Sequence, residues 1–289
     1  MELPVQNLIN KEEAEKIFEE CCKQIGIDAN RGDIKDLVIY ELTDGTRTST
    51  ELSGWEAYFD GGLFVLRLIH ILNHLGCKNF YVLTTGKSHR IRENYKEIIT
   101  ALTKEVDVYR KYAKENGVRL RFVGDLENIE FEGAKEFLDS LNILENETSE
   151  NKGLTVHILI DYSSDWATNN KEFPGLPNAN IIIKHTKGQI NDGLWLPGKL
   201  KNNSFVYAQN ASMSKTWSDK DITYLVAISL RSMILHQGLQ YGKSYCGDEV
   251  EHIKKHREEE LSMIHKKLEP EIKKRVVIFS HIGPEIYEF

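Results

Sequence analysis

Short apolar runs alternate along this chain with longer stretches in which apolar residues return at the helical period. Residues 37–41, 80–84, 119–123, 154–161, 180–184 and 205–209 are short and apolar, several of them β-branched, and predict strands. Residues 11–25, 62–75, 91–116, 133–144 and 218–237 repeat their apolar positions with the 3.6-residue period of a helix. Val156-His157-Ile158-Leu159-Ile160 and Ile181-Ile182-Ile183 are continuous rather than alternating, which predicts strands covered on both faces. Strands alternating with helices imply right-handed crossovers and a single doubly wound α/β domain. Its central sheet is expected to be mostly parallel, about six-stranded and flanked by helices. A ligand site then belongs at the carboxyl ends of the strands.

The segments between these elements differ in character. Residues 145–153 are polar and acidic and read as a mobile connection. Residues 163–177 follow a strand and carry Trp166, Phe173, Pro174 and Pro177, a composition suited to a lid or a pocket wall. Residues 242–247 separate the main body from a charged helix at 248–269 and a last apolar stretch at 276–279. The chain thus reads as one domain over 1–289, with a core at 30–240 and a C-terminal helix and tail at 241–289. It contains no internal repeat.

Composition narrows the function classes. With 289 residues and 40% hydrophobic content, the chain can bury a sizeable core. A net charge of −7 argues against nucleic acid as a main partner, because backbone binding needs a positive face. The longest apolar stretch, 61–75, is interrupted by Arg67, His70, Asn73 and His74 and is too short to span a bilayer. Met1-Glu2-Leu3-Pro4 does not begin a signal peptide, and the four cysteines form no CxxC pair. A cytoplasmic location with reduced, buried cysteines is the expectation.

No GxGxxG, GxxxxGK[ST], HExxH or GxSxG string is present. His252 and His256 have metal-ligand spacing, but the surrounding Lys and Glu mark a solvated helix face. Asp161 and Asp165 bracket a strand end, where a metal or hydroxyl contact and a capping carboxylate are the two readings. Asp44-Gly45-Thr46-Arg47 leaves the first strand with turn N–H groups, a carboxylate and a guanidinium together. That combination suits an anionic, phosphorylated ligand, while Asp-Gly is also an ordinary strand exit.

Gly117-Val118-Arg119-Leu120-Arg121-Phe122-Val123-Gly124-Asp125 reads as a helix-capping glycine, a strand and a Gly-Asp turn. As a string it resembles the cis-prenyltransferase family, whose Asp-Gly motif on the first strand matches Asp44-Gly45. Trp217-Ser218-Asp219 resembles a late motif of the same family, and order and spacing agree over about residues 37–237. Several family positions differ. Thr48 stands for the second motif arginine, Tyr58 lies near a family histidine, and Gly86-Lys87-Ser88-His89-Arg90 replaces a Ser-x-Glu-Asn-Trp segment. The arginine-rich segment that holds isopentenyl diphosphate in the family reads Lys184 to Asp192 here, and a late magnesium-binding glutamate is missing near Asn202-Asn203-Ser204. Lysine does not replace arginine at a forked diphosphate site. The pattern is similar to the tuberculosinyl adenosine transferase branch, which shares Asp-Gly-Thr-Arg, two active-site tyrosines matching Tyr58 and Tyr95, a turn like Pro197-Gly198-Lys199 and a tail like Ser280-His281-Ile282-Gly283.

The resemblance implies the cis-prenyltransferase fold and ionisation of an allylic prenyl or cyclic diterpene diphosphate. The cation would be captured by a nucleoside or water, or lose a proton. Asp44, Tyr58 and Tyr95 are the implied catalytic residues, and Gly45, Thr46, Arg47, Arg90 and Lys199 the diphosphate contacts, with Lys87 of second rank. Asp44 would also hold Mg2+, whose requirement the missing family ligand leaves open. The family is generally homodimeric, and the apolar residues of 218–237 are a candidate interface. The alternatives are chain elongation with isopentenyl diphosphate and a non-catalytic subunit of a two-component enzyme.

Overall fold

A computed structural model of the chain describes residues 8–27, 31–43, 46, 50–185, 196–209, 218–236, 247, 248, 250, 251, 254, 255, 275–280 and 283–288. The apolar runs form β1 (Val38–Leu42), β2 (Asn79–Leu83), β3 (Arg119–Val123), β4 (Thr155–Leu159), β5 (Ala179–His185) and β6 (Leu200–Gln209). These six pair in parallel in the order β3-β4-β2-β1-β5-β6. The last apolar stretch becomes β7 (Arg275–Ser280), antiparallel to β6, and β8 (Gly283–Glu288) pairs antiparallel with β7. An antiparallel pair thus extends the expected parallel sheet on one side, to eight strands among the described residues.

Side chains alternate across each strand, and this divides the core in two. Ile39, Phe80, Val82, Leu120, Val156, Ile158, Ile181 and Ile183 face the larger cluster. There they meet α1 (Lys11–Gln24), α3 (Gly54–Leu75), α4 (Tyr95–Asn116), α5 (Ala134–Thr148) and α7 (Asp219–His236), with Ile34 of the short α2 (Arg31–Asp36) beside them. Val38, Tyr40, Leu42, Tyr81, Leu159 and Ile182 point the other way. They are covered by Leu196 and by residues from α6 (Ser164–Asn169) and the turn after it, including Ala167, Phe173 and Leu176. The continuous β-branched runs follow from this, because both faces of the central strands are dry. The segment expected to act as lid or pocket wall is the cover of that second face.

The helices depart from their expected bounds for identifiable reasons. Gly54 to Asp60 carries little apolar contrast, so the start of α3 was not visible in the pattern. Residues 145–148, expected to belong to a mobile connection, continue α5 and are tied to the edge strand. Glu145 Oε2 accepts the Phe122 N–H at 2.9 Å, and Thr148 Oγ1 accepts that of Leu120 at 3.1 Å. Ile222, Leu225, Val226, Ala227, Ile228, Leu230 and Met233 of α7 are buried in the core of the chain itself. The apolar face suggested for a dimer interface is therefore occupied within the protomer.

Gly117 caps α4 at φ +64°, the left-handed conformation its place in the sequence predicted. Cys21, Cys22 and Cys77 are free and buried. Burial raises the Cys21 thiol to about 11 and the Cys22 and Cys77 thiols to about 12, so none is a ready nucleophile. Cys246, His252, His256 and the central His281-Ile282 of the tail motif lie outside the described residues. Among those described, no helix is long and apolar enough to cross a membrane.

Candidate functional site

The exits of β2, β3 and β4 are laced together at the carboxyl end of the sheet. The N–H groups of Thr84 and Thr85 donate to the Leu159 carbonyl at 3.0 and 3.3 Å, and the Ile160 N–H donates to Val123 at 2.9 Å. The Tyr162 N–H donates to Thr85 at 3.1 Å, and the Lys87 N–H returns to the Tyr162 carbonyl at 2.8 Å. These bonds bring three short segments together: Thr85 to Arg90, Gly124-Asp125, and Asp161-Tyr162. Asp161 has φ +56°, a left-handed conformation uncommon for a residue with a side chain. Such local strain is held in place by surrounding bonds, and here the Thr85 hydroxyl accepts the Asp161 N–H at 2.8 Å.

Four charges meet on these segments. Lys87 Nζ lies 2.7 Å from Asp125 Oδ2, and the Arg90 guanidinium is paired with the Asp161 carboxylate. Arg90 also donates to the Asp125 carbonyl at 3.3 Å, and Asn128 donates to Asp125 Oδ1 at 2.7 Å. The Asp161 side chain is fully buried, and among the described residues its Oδ1 has no hydrogen-bond partner. Burial raises the Asp161 carboxyl above the ordinary value against the pull of Arg90. Burial also acts to raise Asp125, but the bonds from Lys87 and Asn128 outweigh it and hold the carboxyl low. An open pocket of about 470 Å3 is lined by Lys87, Arg90, Tyr95, Asp125, Asn128 and Glu130.

The expected tyrosines join this group from the helix side. Tyr95 opens α4, and burial together with the charge of Asp161 raises its phenol to about 12. It is a neutral dipole at any ordinary pH. The preceding residue, Asn94, donates its side-chain amide to the Tyr58 hydroxyl on α3. Tyr58 shares a helix face with Gly61, three residues on. Thr46 packs against the bare Cα of Gly61, so closely that an added Cβ would overlap its side chain. Tyr58, Asn94, Tyr95, Arg90 and Asp161 thus follow one another through a hydrogen bond, a peptide bond, a shared pocket wall and an ion pair, and Thr46 rests on the same face of α3 as Tyr58. Asp44, Gly45 and Arg47 lie outside the described residues.

Lys199 is not brought to this group. It precedes β6 at the amino end of the sheet, where its carbonyl accepts the Ala179 N–H at 3.0 Å. Its ammonium is buried and donates to the Pro174 and Leu176 carbonyls at 2.5 and 2.6 Å. The expected diphosphate contact at Lys199 is replaced by a structural one, which anchors the cover of the second sheet face.

Asp125 and Asp161 do not fit a divalent cation. Each already faces Lys87 or Arg90, and those charges would oppose Mg2+. Among the described residues no group of three or more His, Cys, Asp or Glu side chains could hold a metal ion.

Sequence reasoning assigned no role to Asn94, Asp125 or Glu105. Asp125 was visible as the end of a Gly-Asp turn, a usual place for a site residue on a strand exit. Glu105 sits within a helix of polar sequence and gave no signal. Gly61-Gly62 inside an apolar helical stretch did mark a close approach: Thr46 rests on the first and the Glu105 carboxyl on the second.

No known protein family's sequence profile matches the chain. No curated protein matches it in sequence. Solved structures do share its fold. Lavandulyl diphosphate synthase from Lavandula x intermedia, determined with dimethylallyl diphosphate, superposes with a TM-score of 0.56 at 12% identity, over 70% of this chain and 96% of that one. A probable undecaprenyl diphosphate synthase from Campylobacter jejuni superposes with a TM-score of 0.54 at 14% identity, over 67% of this chain and 94% of that one. The α/β fold expected from the cis-prenyltransferase resemblance is the fold observed.

Proposed function

We propose that this protein ionises an allylic isoprenoid diphosphate and passes the cation to an acceptor other than isopentenyl diphosphate. The observation that carries the reading is the linked group from Thr46 to Asp161, which joins one residue of the Asp44–Arg47 motif to two tyrosines at the carboxyl ends of β2 to β4. The fold shared with two prenyl diphosphate synthases supports it.

In this reaction the allylic C–O bond breaks heterolytically and the diphosphate leaves with the electron pair. The turn N–H groups at Gly45 and Thr46 and the Arg47 guanidinium would receive its developing charge. Arg90 is largely neutralised by Asp161 and Asp125, so its part is to orient the site and add a directed N–H contact. The phenols of Tyr58 and Tyr95 present ring faces and dipoles that stabilise a cation without adding to it. The acceptor, a nucleoside or water, then forms a bond to carbon and gives its proton to Asp44. Deprotonation of the cation itself would instead yield a hydrocarbon. A homodimer, implied by the family resemblance, would use a surface other than the buried face of α7.

The test is to incubate the pure protein with farnesyl, geranylgeranyl and cyclised diterpene diphosphates, each with and without isopentenyl diphosphate, adenosine and magnesium, and to identify products by mass spectrometry. The expected result is released diphosphate with a terpenyl adduct, alcohol or hydrocarbon. Asp44→Asn and Arg47→Ala should each lower turnover by about 100-fold while the fold persists. A lengthened polyprenyl product, or an Asp44→Asn variant with undiminished turnover, would overturn the reading. No turnover under any condition would favour a non-catalytic subunit.

A further inference from the structure

Directly beneath the carboxyl-end site, an apolar cavity of about 30 Å3 separates the sheet from α4 and α5. Thr84 and Ile160 form its upper part, one residue before Thr85 and Asp161 in their strands' exits, and Val82 and Ile158 lie below them. Leu102, Val106, Phe137 and Leu141 close the helix side. This space takes one group of about the size of a water or a methyl.

One acid borders that space. Glu105 of α4 is 8% exposed, and among the described residues no hydrogen bond or ion pair reaches its carboxyl. The nearby Tyr109 hydroxyl does not serve it, because that hydroxyl donates to the Gly62 carbonyl at 2.9 Å. Burial raises the Glu105 carboxyl to about 8, so at neutral pH it is mostly the un-ionised acid, with one donor and open acceptor positions. An unpartnered buried carboxyl is costly, and an apolar residue would fill the place more cheaply. The fold nevertheless makes room for it. The carboxyl lies on Gly62, where any Cβ would overlap it.

We propose that Glu105 is a specificity residue of the isoprenoid site, hydrogen-bonding an oxygen function at the far end of a short, otherwise apolar tail. The inference rests on the isoprenoid diphosphate reading and narrows its substrate class to oxygenated short-chain diphosphates. The tail is short because the space lies within about two strand residues of the Thr84 and Ile160 level, roughly 7 Å below the site, and takes only the tail's last group. The oxygen is terminal because the space beside Glu105 holds a single small group.

The experiment compares dimethylallyl diphosphate with its 4-hydroxy derivative, and farnesyl diphosphate with its 12-hydroxy derivative, as ligands of the wild type, Glu105→Gln and Glu105→Leu. Binding is measured by calorimetry. The wild type should prefer the hydroxylated five-carbon compound by about tenfold, the amide should keep that preference, and the leucine variant should lose it. Glu105→Leu should melt no lower than the wild type, which separates the effect from misfolding. Equal affinity for the two five-carbon compounds, or an unchanged preference in the leucine variant, would overturn the inference while leaving the diphosphate reading intact. A second measurement does not use a diphosphate. The 13C signal of the Glu105 carboxyl is followed on adding 2-methylbut-2-ene-1,4-diol or 3-methylbut-2-en-1-ol. A shift with the diol alone supports the role of Glu105 even where no diphosphate binds, and no shift with either alcohol refutes it.

Discussion

At Gly124 the chain leaves β3 with φ +154°, and a side chain there would run into the carbonyl of Ile160 on the neighbouring exit. Backbone meets backbone at this point, so no rotamer change relieves the overlap. Gly124→Ala should cost about 3 kcal/mol, read as a lower urea midpoint, and should also displace Asp125 from Lys87. The Gly-Asp turn was legible in the sequence because a glycine that ends a strand marks a backbone conformation closed to most residues. Asp161 was legible only as an ambiguity. Its burial, its left-handed backbone and its pairing with Arg90 depend on partners more than thirty residues away in the chain, which no local pattern encodes. Lys199 misled for the same reason, since a lysine in a turn looks alike at either end of a sheet.

The apolar pattern stopped one turn short of the end of α5. Its last turn is polar in sequence because its polar side chains have backbone partners: Glu145 and Thr148 satisfy the outward N–H groups of β3, the edge strand of the sheet. A strand edge left open is a template for further pairing. Thr148→Val keeps the shape and removes the acceptor for the Leu120 N–H. It should lower stability by about 1–2 kcal/mol in chemical denaturation. Adding Glu145→Ala should raise light scattering on heating, as the second N–H is freed. The six parallel strands could be read from the sequence because burial on both faces leaves continuous β-branched runs. The start of α3 could not, because its first turns carry little apolar contrast, and neither could the end of α5, which hydrogen bonds to β3 hold.

For the molecule as a whole, two buried groups, His157 and Glu105, and the half-buried His74 shape the dependence of stability on pH. Burial lowers His74 to about 4 and His157 to about 3, from an ordinary 6.5. The unfolded chain therefore takes up protons below 6.5 that the folded chain refuses, and stability is lost as pH falls from 6.5 towards 4 and 3. Glu105 acts in the opposite direction. Its folded value near 8 exceeds the ordinary 4.5, so its contribution is complete below 4.5 and is lost as pH rises through 8. Between 4.5 and 6.5 two histidines outweigh one glutamate, and above 6.5 Glu105 acts alone. Among these groups the optimum falls near pH 6.5, with a decline of about 2 kcal/mol by pH 8. Denaturation at a series of pH values should show that decline in the wild type and none in Glu105→Leu.

The order of strands also bears on how the chain is made. β6 is the longest strand, and its outer edge pairs with β7, which arrives only after α7 and a long charged segment have been synthesised. A ribosome releasing this chain would present the outer edge of β6 at residues 205–209 before its partner exists. The sheet that carries the site is complete on its β3 side early in translation and on its β6 side only at the last strands. Through that interval the nascent protein needs either speed or a chaperone.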